Sequence, residues 1–178
     1  VHIAGPACKD GIYMPARSMQ DYPDLWKTSY HFQNCGTGTK FSLATFTGKK
    51  KTIATDINSV TAFQVQLDYD FPMELPVGVL ARFDELVRQY GDSAGLYVPR
   101  PTYAILADGL TFIYVLEHPF ILNASTPKKR GQAYKFLVRV VKGLVDRINW
   151  LDPRFGAVFS RLTLKAPVPG SLERNWFY

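Results

Sequence analysis

The feature that most constrains this chain is an alternating run of apolar and polar residues over 61–72, TAFQVQLDYDFP. One face carries Phe63, Val65, Leu67 and Tyr69, and the other carries Gln64, Gln66, Asp68 and Asp70. A period of two is typical of a half-buried strand, and the β-branched and aromatic content agrees. Pro72 ends the run. The pattern therefore predicts a central strand with one face on the core.

Asp68 and Asp70 are expected to leave the end of this strand on the same side. Their Cα atoms would be about 6.6 Å apart, since the rise of a strand is about 3.3 Å per residue. Two carboxylates so placed can converge on one or two divalent cations, which prefer oxygen ligands. Asp-x-Asp pairs also occur as solvated strand ends and turn caps, so the pair alone leaves both interpretations open.

Composition indicates an ordered globular protein with a basic surface. The 178 residues suffice for one large domain or two small modules. No apolar run approaches the roughly 20 residues of a membrane span and no signal peptide is visible, so we expect a cytoplasmic protein without membrane association. The first residue is Val1, which suggests a fragment or a processed chain.

Charge and cysteine usage narrow the classes of partner and chemistry. The formal net charge is +6 and the isoelectric point is about 9.3, which favours a polyanionic partner such as nucleic acid. Cys8 and Cys35 lack the spacing of a zinc site or a disulfide framework. The sequence offers no Ser/His/Asp or Cys/His set that would indicate another class of enzyme.

Periodicity predicts an α/β (α+β) fold with a central mixed or antiparallel sheet and flanking helices. Two helices are predicted, over 76–90 and 131–149, and a hairpin through Asp108-Gly109 joins strands 102–107 and 110–117. The remaining predictions are irregular structure with one short helix in 1–40, strands at 41–47, 52–55, 96–100 and 157–164, a loop at 165–170 and a tail at 171–178.

The order of these elements resembles the catalytic domain of the archaeo-eukaryotic primase superfamily, most closely plasmid replicase (Rep) proteins and primase-polymerases. Asp68 and Asp70 match the family's first motif, a pair of acids at a strand end. Asp152 after a helix, followed by a strand with Arg161, is similar to its third motif. The resemblance covers roughly residues 60–168, and between these motifs it includes the Gly-containing hairpin, the apolar strand ending in Leu116-Glu117-His118-Pro119 and the second helix.

The resemblance implies one compact domain, with an N-terminal module over 1–60 and an RRM-like module over 61–178 that carries the acids. It implies a DNA replication protein of a mobile element, a primase/polymerase-type nucleotidyltransferase that uses nucleoside triphosphates and Mg²⁺ or Mn²⁺ on a DNA template. Other replication proteins would be further partners. Such transfer needs two cations about 3.5–4 Å apart, bridged by carboxylates, to align the attacking and leaving oxygens.

Site residues follow from the same resemblance. Asp68, Asp70 and Asp152 would hold the metal and carry catalysis, while Arg161 and the cluster Lys128-Lys129-Arg130 would contact nucleotide phosphates or the template. From the residues alone, Asp152-Pro153 also reads as a turn after a helix, Arg161 as a surface arginine and the basic cluster as a solvated loop.

One departure from the family opens two alternatives. The second motif has a histidine that contacts the phosphates of the incoming nucleotide, whereas the matching positions here are Leu110, Thr111 and Phe112, and His118 stands at the far end of the strand. Either the basic residues replace this histidine or nucleotide binding is weakened or lost. The first alternative function is therefore a catalytically degenerate DNA-binding replication initiator module. A further alternative, independent of the histidine, is a metal-dependent nuclease of the ribonuclease-H-like type, which also uses acids carried on a strand.

Overall fold

The structure, a computed structural model, describes residues 2–5, 8–13, 40–46, 57–70, 76–90, 97–106, 110–122, 126–159, 165–167 and 176–177. Its helices are α1 (Pro76–Tyr90) and α2 (Pro127–Leu151), followed by a short 3-10 helix, Pro153–Phe155. Its strands are β1 (His2–Gly5), β2 (Cys8–Tyr13), β3 (Lys40–Ser42), β4 (Ala44–Phe46), β5 (Ile57–Leu67), β6 (Tyr103–Leu106), β7 (Leu110–Ile121), β8 (Ala157–Val158), β9 (Lys165–Pro167) and β10 (Trp176–Phe177).

Two antiparallel sheets organise the described strands. The larger has the order β10-β6-β7-β5-β4, with β8 also paired to β5, and the smaller has the order β2-β1-β3-β9. Every pairing in both sheets is antiparallel. The predicted α+β fold with an antiparallel central sheet is therefore confirmed.

Strand β5 is an interior strand of the larger sheet, as the alternating run predicts. One edge pairs with β7 along most of its length, from Ser59↔Ile121 to Leu67↔Leu110. The other edge is shared, because β4 pairs with its first half and β8 with its last residues. The end of β5 therefore lies between β7 and β8.

Both helices cover one face of this sheet. Phe63, Val65 and Leu67 of β5 join the core with residues of α1 and α2. The ring of Phe83 on α1 lies 4.8 Å from that of Phe112 on β7, centroid to centroid. Burying an aromatic or aliphatic side chain of this size contributes about 1.5–3 kcal/mol. The helix layer thus covers the face of β5 that carries these three residues.

Leu43 carries the chain from the smaller sheet to the larger one. It separates β3 from β4 and is fully buried. Its carbonyl accepts hydrogen bonds from the backbone N–H of Thr61 at 2.9 Å and of Ala62 at 3.2 Å, and from Thr61 Oγ1 at 3.0 Å. The single strand predicted over 41–47 is therefore wrong: two short strands serve different sheets.

Several other element predictions need correction. Residues 128–130 belong to the first turn of α2, not to a loop, and 165–167 form a strand. Residues 97–100 form no strand, whereas the irregular segment predicted over 1–40 contains β1 and β2, and the tail contains β10. The return strand predicted at 52–55 and the turn Asp108-Gly109 lie outside the described residues.

The predicted boundary between residues 60 and 61 falls within β5. The smaller sheet takes three strands from the first forty-two residues and β9 from the C-terminal part. The division into two modules stays a prediction. Among the helices that the structure describes, none is long and apolar enough to span a bilayer.

Candidate functional site

Asp68 and Asp70 lie side by side just beyond the end of β5. Both are exposed, while Tyr69 between them packs against the core. The alternation of β5 thus continues to residue 70, and both carboxylates lie on the face opposite the helices. This is the placement that the sequence predicts for the pair.

A short ribbon, residues 154–158, holds the backbone of this acidic pair in place. Val158 and Ala157 of β8 pair with Gln66 and Leu67. The same register continues past the strands, because the N–H of Asp68 donates to the carbonyl of Gly156 at 3.0 Å and that of Asp70 to the carbonyl of Arg154 at 2.8 Å. The backbone of both acids is therefore fixed by hydrogen bonds, and the pair does not lie on a free strand end.

Gly156 permits this close approach. Its φ is +55°, in the left-handed region, and it ends the 3-10 helix. A Cβ at this position would lie 2.1 Å from the carbonyl oxygen of Asp68, closer than atoms can pack. Only glycine satisfies both the conformation and the contact.

Two further contacts attach the ribbon to the helix layer. Asn149, in the last turn of α2, receives a hydrogen bond from the N–H of Ala157 at 2.7 Å and donates one to its carbonyl at 2.9 Å. The ring of Phe155 is fully buried and meets Phe83 edge-on at 5.6 Å between centroids. The position of the ribbon is thus set from both sides.

Asp152 joins α2 to the 3-10 helix through its carboxylate and its backbone. Its N–H donates to the carbonyl of Ile148, and its Oδ1 accepts from the N–H of Arg154 at 3.0 Å. Oδ1 also accepts from Arg154 Nε at 3.0 Å, and Oδ2 accepts from Arg154 Nη2 at 2.6 Å and from Arg82 Nη2 at 3.4 Å. The carboxylate is buried, and it faces an arginine of α1.

These arginine contacts change the acidity of Asp152. The hydrogen bonds from Arg154 lower the pKa of the carboxyl to about 2, and burial opposes this in part. The group is therefore an anion at every physiological pH. The sequence did suggest a turn at Asp152-Pro153, but it gave no role to Arg82 or Arg154.

The cluster Lys128-Lys129-Arg130 lies at the other end of α2. Lys128 and Lys129 are exposed, whereas Arg130 Nη2 donates to the carbonyl of Ile57, the first residue of β5, at 2.6 Å. From Arg130 to Asp152 the helix rises about 33 Å. One nucleotide cannot bridge that distance, so a role of this cluster at the acidic pair would require a longer strand of nucleic acid; its nucleic-acid contact stays a prediction.

Phe112, which stands at the position of the family's histidine, faces the core. Its side chain is fully buried against Phe83, on the helix side of β7. The β7 residue that lies on the side of the acids is Thr111, which pairs with Gln66. His118 is exposed near the start of β5, far from Asp68.

The predicted site residues are therefore brought together only in part. Backbone hydrogen bonds place the segment 154–156 beside Asp68 and Asp70, while the Asp152 carboxylate faces α1. In the part of the chain that is described, no three His, Cys, Asp or Glu side chains are grouped closely enough to hold a metal ion. The metal role of Asp152 stays a prediction, and Arg161 lies outside the described residues.

Comparison with known proteins gives one structural similarity. No family model matches the chain, and no curated protein matches its sequence significantly. Among solved structures, the chain is similar to the AEP domain of the cyanophage S-2L primase-polymerase (PrimPol), with 14% identity, a TM-score of 0.43, and coverage of 99% of this chain and 78% of that one.

Proposed function

We propose that this protein is a metal-dependent nucleotidyltransferase of the primase/polymerase type that acts on a DNA template with nucleoside triphosphates. The observation that carries the proposal is the pair Asp68 and Asp70, exposed on one side of an extended segment whose backbone is fixed by the ribbon. The motif order from Asp68 to Asp152 supports the same class. Assignment to a replication protein of a mobile element depends on that sequence resemblance alone.

The donor set of the pair fits Mg²⁺ or Mn²⁺. Such ions are commonly bound by one or two carboxylates, with water and substrate phosphates completing the shell. When bound, the cation neutralises charge on the phosphates and lowers the barrier to attack by the primer hydroxyl. The contribution of this chain is to hold both carboxylates on one side, at a spacing that the β8 register fixes.

In this proposal Asp152 is a positioning residue. All four hydrogen bonds to its carboxylate come from Arg82 and Arg154. Together with the bond from its N–H to the carbonyl of Ile148, they tie the 3-10 helix to α1 and α2. The ribbon that follows from it supports the backbone of Asp68 and Asp70. Asp152 thereby acts on the acids through the ribbon.

Primer synthesis on a single-stranded template tests the proposal. With Mg²⁺ or Mn²⁺ and nucleoside triphosphates, we expect product from the wild type and a loss of roughly 100-fold or more in Asp68→Asn and in Asp70→Asn. Glu85→Gln, an exposed carboxylate on α1, is the matched control and should keep full activity. Synthesis that survives in both site variants would contradict the proposal, and metal-dependent degradation of the template without nucleotides would identify a nuclease instead.

The catalytically silent DNA-binding module is the second candidate, and Phe112 favours it. Because that position is buried in the core, a phosphate-binding histidine is absent from the matching place on β7. This candidate predicts that the wild type and Asp68→Asn bind DNA equally and that neither makes product. The same assay, combined with a binding measurement, separates the two.

A further inference from the structure

Helix α2 accounts for the whole net positive charge of the protein. It contains seven basic residues and one acidic residue, a net charge of +6 that equals the formal net charge of the entire chain. The remaining 153 residues are balanced in charge. This helix is therefore a strong candidate for the electrostatic attraction of a polyanion.

The basic residues of α2 divide into two groups by their contacts. Arg130 and Arg147 are used inside the protein, where they donate to the carbonyls of Ile57 and Tyr97. The other five are exposed, and four of them, Lys128, Lys135, Arg139 and Lys142, form a basic stripe; Lys129 lies on a different face of the helix. Lys142 Nζ also lies 5.8 Å from the centroid of the Phe159 ring. Within the ranges that the structure covers, no carboxylate forms an ion pair with any of the four.

Helical spacing aligns the stripe along the outer surface of α2. Steps of seven, four and three residues keep side chains on one face, and the stripe extends for about 21 Å at 1.5 Å per residue. The buried residues Leu137, Val141 and Ile148 lie on the opposite face. Asp146, one turn beyond Lys142, marks the end of the stripe.

Two large aromatic side chains lie on the same outer surface. Phe136 is 58% exposed although its ring stacks on that of Phe120 at 6.0 Å, and Trp150 is 50% exposed. Trp150 follows Arg139 by eleven residues, which is three turns, so the two lie almost in line. Trp150 continues the line of the stripe and Phe136 lies to one side of it, and basic residues with exposed aromatic rings nearby suit the backbone and the bases of a single strand.

We propose that the outer surface of α2, the basic stripe with Phe136 and Trp150, binds single-stranded nucleic acid. This surface lies on the helix side of the sheet, opposite the face that carries Asp68 and Asp70. The outer surface of α2 is thus a second contact, separate from the acidic pair. It holds the nucleic-acid strand and leaves the carboxylates of Asp68 and Asp70 free. It depends on the proposed function only in taking nucleic acid as the partner.

The salt dependence of binding tests this inference. The affinity for a labelled oligothymidylate would be measured by fluorescence anisotropy between about 50 and 200 mM salt. For Lys135→Gln/Arg139→Gln we expect the slope of log K against log salt to fall by about 1.4, since each lost phosphate contact to a single strand removes about 0.7. Trp150→Ala should weaken binding about tenfold without changing the slope, because stacking releases no counterions.

Arg88→Gln is the control for Arg139→Gln alone, because each removes one exposed charge for which the described residues provide no ion pair, Arg88 from α1 and Arg139 from the stripe. Its slope should stay near that of the wild type, and thermal unfolding would show that every variant is folded. Equal slopes in the stripe variant and the wild type, or an equal loss in the control, would overturn the inference. So would tighter binding to phosphatidylserine vesicles than to the oligonucleotide.

The outcomes also separate this inference from the proposed function. Asp68→Asn/Asp70→Asn should bind the oligonucleotide at least as tightly as the wild type. If no primer is made but the stripe variant loses slope, the surface stands and the enzymatic proposal fails. If primer is made and the slope does not change, the surface fails alone.

Discussion

Asp152 is a carboxylate with one arginine partner nearby in the sequence and one far away. Arg154 is two residues ahead of it, but Arg82 is 70 residues away on α1. The resulting cluster of one acid and two arginines joins α1, α2 and the 3-10 helix. Its stability contribution is electrostatic and therefore depends on pH.

Replacing Asp152 with asparagine should remove this pH-dependent contribution. The pKa is lowered to about 2 from an ordinary value of 3.8, so the contribution is complete above about pH 4 and is lost as the pH falls towards 2. At pH 7 we expect Asp152→Asn to lower the free energy of unfolding by about 2 kcal/mol. Urea unfolding of both proteins should show the difference shrinking between pH 4 and pH 2; a difference that is constant with pH would contradict this assignment.

Single residues could be placed from the sequence where short-range periodicity fixes them. The exposure of Asp68 and Asp70 on one side follows from a period of two, which needs no knowledge of the rest of the chain. Arg154 is two residues from Asp152, but Arg82 reaches the carboxylate only through tertiary packing, which no local pattern encodes. The resemblance to the primase family implied that Asp152 meets Asp68 and Asp70 in the fold. It could not show which way the Asp152 carboxylate faces.

At the scale of elements, the ribbon 154–158 links the acidic pair to the helix layer. It is attached to β5 by backbone pairing, to α2 by Asn149 and to the core by Phe155. Because the ribbon has few residues, a substitution that moves one of them should also move the backbone of Asp68.

Gly156→Ala should displace the ribbon. The left-handed backbone and the clash with the Asp68 carbonyl together should lower the free energy of unfolding by about 1–3 kcal/mol, and amide exchange of Asp68 and Asp70 should become faster. Gly143→Ala is the control within α2, where the added methyl meets no atom within 4 Å. That change should be neutral or stabilise by about 0.5–1 kcal/mol, as expected for alanine in a helix; similar losses in both variants would disprove the special role of Gly156.

Element boundaries were predictable where capping signals are strong. Pro76 starts α1 as the sequence indicates. For α2 the predicted start at 131 missed one turn, because the capping signal is Thr126-Pro127, with Thr126 Oγ1 accepting from the N–H of Lys129 at 3.3 Å. The three basic residues that looked like a loop are the first turn of the helix.

At the scale of the whole molecule, β5 and α2 run alongside each other and separate two kinds of surface. The acids lie at the end of β5 on the face of the sheet opposite the helices, and the net positive charge of the chain lies on α2 on the helix side. The sequence could indicate the sheet, the helices and their apolar faces. It could not indicate the second sheet, because β9 pairs with β3 from the opposite end of the chain.

Crystallography of the protein grown with Mn²⁺ tests the central claim most directly, because anomalous scattering locates the ion without assumptions about the reaction. Our account predicts an anomalous peak coordinated by carboxylate oxygens of both Asp68 and Asp70, which disappears in Asp68→Asn/Asp70→Asn, while Asp152 keeps its bonds to Arg82 and Arg154. An Mn²⁺ ion bound elsewhere, with the pair left to solvent, would contradict it.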